Sequence, residues 1–323
     1  MINIFANTGA GGIGSRIIRY GDSLHLLGWN KIIGSFLNAE NLFLSVPDMA
    51  NPEKLHIVPL TGSVEADNEV ELVGHQFDAN NPSVVTYFTI RYNEEEDLVD
   101  IKREVKVSDE NAAVVVNGKV YEDFAAAIAD AQDGDVVVMT KDVEMSEPTI
   151  VNKKITLDLN GKSLYTSNKL SELLYITTDV DIYGNGGSVD AYSHIETWDA
   201  NVDYNMAVRV MEGAKVRLFG GDYKAGYEAV YVYDGVAEIY GGTFFAQPDS
   251  SRKNVLFEIN CYDANFRNGK ADVVMYGGNY YNFDPRFGDP TNGTFRGHSY
   301  VAEGYKVVTE EVEENVIYSV VKA

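Results

Sequence analysis

Acidic side chains gather between positions 179 and 222, and a pair of carboxylates at a fixed separation is the catalytic device of glycoside hydrolases. A pectate-type lyase instead needs Ca²⁺ held by acidic side chains and a basic residue that takes a proton. Arg209, Arg217 and His194 lie in or near the same stretch as basic partners. The chain has 49 acidic residues, so such groupings also arise by chance, and we expect a solvated acidic face rather than a catalytic site. The acidic candidates are Asp179, Asp181, Asp190, Glu196, Asp199, Asp203 and Asp222.

Cofactor and metal patterns are weaker still. The glycines of residues 9–14 are spaced nearly as in a dinucleotide-binding loop, but no βαβ pattern follows them. The five histidines show no ligand spacing, and Cys261, the single cysteine, has no second thiol to pair with. The sequence therefore predicts no cofactor and no metal.

Aromatic side chains give a better indication of binding. Tyr231 and Tyr233 alternate with Val230 and Val232, so in a strand they face the opposite side and are predicted to lie outside. Exposed rings of this kind bind sugars or a partner subunit. The other recurring rings, at positions 223, 240, 244, 276, 280 and 281, are predicted to stack mainly in the core.

An internal repeat indicates which elements carry these rings. Residues 207–213 recur as 229–235, a displacement of 22 positions, and residues 216–223 recur as 237–244 and again as 273–280. Each copy holds short strands separated by glycines, too little to bury an apolar face alone, so the copies must stack as successive coils. Alternation predicts that Val216, Leu218, Ala237, Ile239, Val273 and Met275 point inward.

Elements around the repeat complete the predicted coil region, residues 111–323. Residues 121–132 have the apolar spacing of a helix that would cap one end, and no later segment reads as a helix. A hairpin of residues 305–309 with 317–321 would cap the other end. Residues 193–204, which include His194 and Trp198, and residues 247–253 break the period and are predicted to be loops that leave the stack and carry binding specificity. We group Tyr231, Tyr233, Trp198 and His194 as the candidate glycan-binding or partner-binding residues.

The first 110 residues have a different character. Residues 1–38 carry three basic residues and one acidic residue, a charge of +2. The rest of the chain carries −25, which gives the net charge of −23. This apolar, basic stretch is predicted to be a docking arm that a partner covers. Residues 39–110 alternate as short strands and predict a small antiparallel β-domain. The residues assigned to docking are Arg16, Ile17, Ile18, Arg19, Leu24 and Trp29.

The net charge of −23 also limits the partners, because nucleic acid and anionic membranes repel such a surface. We see no secretion signal and no apolar run of the roughly 20 residues that a membrane span requires. The sequence therefore predicts no nucleic acid partner and no membrane insertion.

Several motifs resemble a known family. The segment 121–135, the segment 154–161, the repeated Tyr-Gly-Gly coils and residues 300–305 resemble the pectin-lyase-like, right-handed parallel β-helix modules of bacterial surface proteins and bacteriophage structural proteins. The order of arm, small β-domain and β-helix looks like that of phage fibres and head decorations, including those of crAss-like phages. The resemblance implies an all-β fold with a right-handed parallel β-helix. It is specific for fold and weak for function.

The resemblance implies a virion structural protein, a head fibre or decoration made in the host cytoplasm. Its arm would bind capsid or other virion proteins, and its β-helix would be displayed on the virion surface, where it binds host polysaccharide. A homo-oligomer is expected, either a trimer as in many β-helix fibres or a dimer. The alternatives are an adhesin or glycan-binding module of the bacterial cell surface and, ranked last, a polysaccharide depolymerase.

Overall fold

The structure is a computed structural model. It describes residues 2–7, 13–18, 24–25, 42–47, 55–64, 70–78, 80–93, 98–197, 203–246, 258–288, 298–313 and 315–323. The chain divides into two compact units, Met1–Glu110 and Asn111–Ala323. Both consist mainly of β-strands, which confirms the predicted all-β class.

The first unit holds one antiparallel sheet of eight strands. Its longest hairpin joins Val84–Asn93 to Leu98–Val107 in full register, as the apolar runs on either side of residues 93–97 predict. The order across the sheet is β2-β1-β4-β5-β6-β7-β8-β3. The strands are β1 Ile2–Asn7, β2 Ile13–Ile18, β3 Leu24–His25, β4 Leu42–Pro47, β5 Leu55–Val64, β6 Val70–Phe77, β7 Val84–Asn93 and β8 Leu98–Val107.

The segment predicted as a docking arm contributes strands to this same sheet. β1 pairs with β2 and with β4, and β3 pairs with β8. Main-chain pairing therefore crosses the predicted boundary at residue 38. Arg16, Ile17 and Ile18 lie in β2 and Leu24 lies in β3, whereas Arg19 and Trp29 are outside the described residues. Docking on a particle stays a prediction.

The second unit consists of three sheets that the chain visits repeatedly in the same order. Sheet I contains β9 Val114–Val116, β10 Lys119–Tyr121, β11 Val136–Met139, β14 Thr156–Asp158, β17 Val180–Tyr183, β20 Ala214–Phe219, β23 Gly235–Ile239 and β26 Ala271–Met275. Sheet II contains β12 Val143–Glu144, β15 Ser163–Tyr165, β18 Ser188–Asp190, β21 Asp222–Ala225, β24 Thr243–Ala246, β27 Asn279–Tyr281, β28 Tyr305–Val312 and β29 Asn315–Lys322. Sheet III contains β13 Thr149–Val151, β16 Glu172–Ile176, β19 Met206–Val210, β22 Glu228–Val232 and β25 Ile259–Cys261.

Strands of successive coils pair in parallel within each sheet, which confirms the predicted repeat. In sheet I, Val216 lies beside Ala237, and Ala237 lies beside Val273. In sheet III, Val208 lies beside Val230 at the displacement of 22 residues seen in the sequence. The arrangement is an all-β stack of parallel strands, consistent with a parallel β-helix.

The core lies between the three sheets. The six side chains predicted to point inward are at most 2 % exposed. The coils also approach closely at Gly235, whose φ is +130° and where a Cβ would lie 2.2 Å from the carbonyl oxygen of Ala214. Only glycine fits such a corner.

The ends of the stack differ from the sequence prediction in detail. The capping helix α1 is Phe124–Asp130, shorter than the predicted 121–132. Asn117 and Gly118 both have positive φ and form the turn of the β9–β10 hairpin. Tyr121 is the last residue of β10 and is therefore not part of the helix. A second helix, α2 Asp263–Arg267, was not predicted. The C-terminal hairpin is confirmed: β29 pairs with β27 of the last coil and with β28.

The start of α1 offers a test of this cap. The Asp123 side chain accepts a hydrogen bond of 2.7 Å from the backbone N–H of Ala126, and Phe124 and Ile128 are buried against the stack. We expect Asp123→Ala to lower the free energy of unfolding by about 1 kcal/mol, because the N-terminal N–H groups lose their acceptor. Urea denaturation monitored by circular dichroism measures the change. Glu122→Ala, at the exposed neighbouring position, should leave stability unchanged, and an equal loss there would contradict the capping role.

Candidate binding surfaces of the coil stack

The acidic side chains of sheet I join one coil to the next. Both Asp181 carboxylate oxygens accept hydrogen bonds from Arg217, each of 2.5 Å, across β17 and β20. Asp179 accepts the backbone N–H of Lys215 at 3.0 Å and lies 3.3 Å from the Lys154 ammonium. The hydrogen bond from Lys215 is the main cause that lowers the pKa of Asp179, whereas burial, opposed by Arg217, raises the pKa of Asp181. These carboxylates have ion-pair partners on neighbouring coils.

The remaining acidic candidates are dispersed. Asp190 accepts the backbone N–H groups of Tyr192 and Ser193 at 3.0 and 2.7 Å and so anchors the start of a loop. Asp203 pairs with Lys169 at 2.6 Å. Glu196 and Asp222 are exposed, and Asp199 lies outside the described residues. The structure does not bring the six described side chains together into one site.

Tyr231 and Tyr233 lie on the outer side of sheet III, as their alternation predicted, and both are partly exposed. Their ring centroids are 6.5 Å apart. Tyr233 also stacks on Tyr262 of the next coil, with 4.7 Å between centroids and 19° between planes, and Tyr262 is 40 % exposed. We call Tyr231, Tyr233 and Tyr262 the tyrosine platform.

An arginine lies beside the platform. The Arg209 guanidinium is 5.4 Å from the ring centroid of Tyr175 and 6.0 Å from that of Tyr231, because the three residues are in register on β16, β19 and β22. Its Nη1 is 3.4 Å from the carboxylate of Glu172. The cation is thus held between two aromatic rings by geometry that favours a cation–π interaction.

Glu228, which sequence reasoning missed, begins β22 of the same sheet. It is 2 % exposed and accepts a hydrogen bond of 2.8 Å from the Asn260 side-chain amide. Burial raises the pKa of Glu228 to about 8, against smaller opposing effects of Asn260 and Arg209. This carboxyl group is therefore largely protonated at neutral pH.

Of the two other predicted binding residues, His194 is not part of the platform. His194 is exposed and its ring lies 4.4 Å from that of Tyr165 on sheet II. Trp198 lies outside the described residues. Of the three predicted residues that the structure describes, it brings together Tyr231 and Tyr233 and leaves His194 apart.

A second row of aromatic rings runs along the outer side of sheet I. Tyr183, Phe219, Tyr240 and Tyr276 stack in sequence, with centroids 4.6, 4.8 and 4.8 Å apart and 14° or less between planes. Tyr240 is 41 % exposed, so its predicted core position is wrong: it follows the inward Ile239 and must face outward. Near-parallel rings cover one another's faces, and this row therefore presents mainly ring edges to solvent.

The predicted core stack is found on sheet II. Tyr223, Phe244 and Tyr280 are fully buried, with 5.1 Å between successive centroids. Tyr281, also predicted for the core, is partly exposed. Inner and outer stacks both follow from parallel strands in register.

Metal-binding clusters of three or more histidine, cysteine or acidic side chains are absent from the part of the chain that the structure describes. In that same part, none of the helices is long and apolar enough to span a membrane. Comparisons with models of protein families, with curated proteins and with solved structures find no match.

Proposed function

We propose that the chain is a structural and binding protein whose second unit is a right-handed parallel β-helix of the pectin-lyase-like kind. The strand order supports the β-helix, because each coil passes through sheets I, II and III before the next coil begins. The right hand follows from the strong preference of parallel strand connections for that crossover.

The observation that carries this proposal is the contrast between two sets of polar and aromatic side chains. Among the acidic candidates, Asp179 and Asp181 hold neighbouring coils together. The tyrosine platform, by contrast, leaves rings partly exposed on sheet III. A stack built this way is suited to displaying a binding surface.

In its specific form, the protein is a phage head fibre or decoration, displayed on the virion as a homo-oligomer and attached to the capsid through residues 1–38. The charge of +2 in residues 1–38 against −25 elsewhere supports attachment by that segment. Immunogold electron microscopy with antibody to residues 111–323 tests it on purified particles from a gut Bacteroidales host. Regular label on heads supports a virion component, and clean particles contradict it.

Attachment itself is tested by charge reversal rather than deletion, because residues 1–38 include strands of the first sheet. Arg16→Glu with Arg19→Glu should abolish incorporation into particles while the circular dichroism spectrum of the protein stays unchanged. Incorporation at the normal copy number would contradict the role of this segment.

A glycan-binding module or adhesin of the bacterial surface is the alternative, and the tyrosine platform favours it equally. A depolymerase ranks last. Release of reducing ends from host capsule distinguishes the depolymerase from both binding proteins.

The platform makes a prediction common to both binding functions. Tyr233→Ala with Tyr262→Ala should weaken binding to host-surface polysaccharide roughly 10-fold, because stacked or exposed rings supply much of the energy of such contacts. Biolayer interferometry with immobilised polysaccharide measures the affinity. Tyr240→Ala, in the row of sheet I that exposes ring edges, is the matched control. An equal loss of affinity in the control, or no loss of affinity in the double variant, would contradict the proposed role of the tyrosine platform in binding.

A further inference from the structure

The outer side of sheet I holds a shallow pocket that the proposed function leaves unused. Its volume is about 210 Å³, and it extends over three successive coils. We call it the three-coil pocket. It is lined by Lys154, Thr156, Asp179, Asp181, Lys215 and Arg217, together with Ile155 at its base.

Carboxylates fix the directions of the cationic groups. Asp181 accepts from Nε and Nη2 of Arg217, which leaves Nη1 as a donor without a partner among the described residues. Among the described residues, the Lys154 ammonium has one ion-pair contact, a looser one of 3.3 Å with Asp179. Lys215 is drawn toward Glu238 at 2.7 Å, outside the lining. The carboxylates thus orient the N–H donors of the cationic side chains, and Arg217 and Lys154 keep N–H groups available to a ligand.

Charge and exposure distinguish the pocket from the rest of this acidic chain. Three cations and two carboxylates line it, and with Glu238, the partner of Lys215, the cluster is neutral, whereas the whole chain carries −23. The side chains of Lys154, Lys215 and Arg217 are 60, 49 and 45 % exposed. A ligand can therefore reach all three cationic groups from solvent.

We propose that the three-coil pocket binds a singly charged oxyanion group, either a sulfate ester or a phosphodiester. Such a group carries several acceptor oxygens and no donor, which matches free donors on Arg217 and Lys154. A group with a single negative charge suits this lining, because carboxylates already pair with its cations. The inference does not depend on the tyrosine platform, which lies on a different sheet, or on a virion location.

Other ligand types fit the pocket less well. A flat sugar or aromatic ring finds little stacking surface on the adjacent row of Tyr183, Phe219 and Tyr240, because those rings cover one another's faces. A metal cation would meet three cationic side chains and displace them from both carboxylates. The donor arrangement therefore selects for an anion.

The test titrates the full-length protein with methyl sulfate and, separately, dimethyl phosphate, replacing chloride at constant ionic strength. The readout is the NMR signal of the Arg217 Nε–H group, assigned by its loss in Arg217→Lys. We expect a saturable shift with a dissociation constant on the order of 1–10 mM for at least one probe. The probe that binds more tightly identifies the source of the group as a sulfate ester or a phosphodiester.

Two variants and a control decide whether the shift reports the pocket. Lys154→Ala should weaken binding about 3- to 5-fold, and Thr156→Glu, which adds a carboxylate to the lining, should abolish it. Lys169→Ala removes an ion-paired lysine outside the pocket and should change nothing. Absence of a saturable shift with both probes, or equal weakening by Lys169→Ala and Lys154→Ala, would overturn the inference. Thermal melting of each variant confirms that it is folded.

Discussion

Phe244→Ala is expected to lower the free energy of unfolding of the second unit by about 4 kcal/mol. Phe244 is fully buried, and its ring lies between those of Tyr223 and Tyr280, 5.1 Å from each and within 10° of parallel. The substitution leaves a cavity that the stacked coils cannot close, since main-chain pairing holds the flanking strands at a fixed spacing. It also removes both ring–ring contacts. Urea denaturation of the full chain, followed by circular dichroism, measures the loss.

Tyr240→Ala is the matched control, because it also removes the middle ring of a stack, with neighbours at 4.8 Å on each side. Tyr240 is 41 % exposed, so water fills the space left behind, and the loss should be no more than about 1.5 kcal/mol. Equal losses for the two variants would show that stacking of rings, rather than burial in the core, dominates the effect.

The inner stack contains a further contrast between two tyrosines. The hydroxyl of Tyr280 donates to the carbonyl oxygen of Gly277 at 2.8 Å. The buried hydroxyl of Tyr223 has no partner among the described residues. Tyr280→Phe should therefore cost about 1 kcal/mol, whereas Tyr223→Phe should be neutral or stabilising. This difference tests the assignment of partners within the stack independently of ring size.

The repeat could be recognised in the sequence because alternation along each strand and recurrence from coil to coil coincide in it. Alternation sets which side chains point inward, and the recurrence of residues 216–223 at 237–244 and at 273–280 sets which strands are neighbours, so the inward positions of Val216, Ala237 and Val273 followed directly. Parallel pairing in register then places like residues on top of one another. Stacks of aromatic rings are a consequence of that geometry.

Sequence reasoning failed where a side chain's environment depends on residues far along the chain. Tyr240 and Tyr280 were both assigned to the core, yet Tyr240 follows the inward Ile239 on sheet I and faces outward, whereas Tyr280 lies on sheet II and is fully buried. His194 contacts Tyr165 through a loop conformation that no periodic pattern describes. Asn260, the hydrogen-bond partner of Glu228, is 32 residues away, beyond any local motif.

Glu228 should make the stability of the second unit fall as the pH rises. Its pKa in the folded protein is raised to about 8, chiefly by burial, from an ordinary value of 4.5. A raised pKa means that the folded state binds the proton more tightly than the unfolded state. The stabilisation is therefore complete below about pH 4.5 and is lost as the pH rises to about 8. Since one pKa unit corresponds to about 1.4 kcal/mol, the loss over this range is at most about 5 kcal/mol.

Glu228→Gln tests this, because the amide keeps the size of the side chain and cannot ionise. Urea denaturation at pH 5, 6, 7 and 8 should show that the stability of the variant falls less steeply with pH than that of the unmodified protein. The difference in slope should correspond to at most one proton released on unfolding. Glu258, fully buried, also has a pKa raised well above its usual range by burial and contributes in the same direction. The pH dependence of the unfolding free energy should therefore be weaker still in the double variant, Glu228→Gln with Glu258→Gln.

Glu147→Gln, at an exposed position, is the control and should keep the full slope. If Glu228→Gln also keeps it, then Glu228 does not carry the buried proton. The interpretation of the site would change accordingly: a Glu228 ionised at neutral pH would place a second carboxylate next to Arg209, beside Glu172. The outer side of sheet III would then present negative charge next to the tyrosine platform, which favours a cationic partner over a neutral glycan. The pH dependence of unfolding thus bears directly on which ligand the platform can accept.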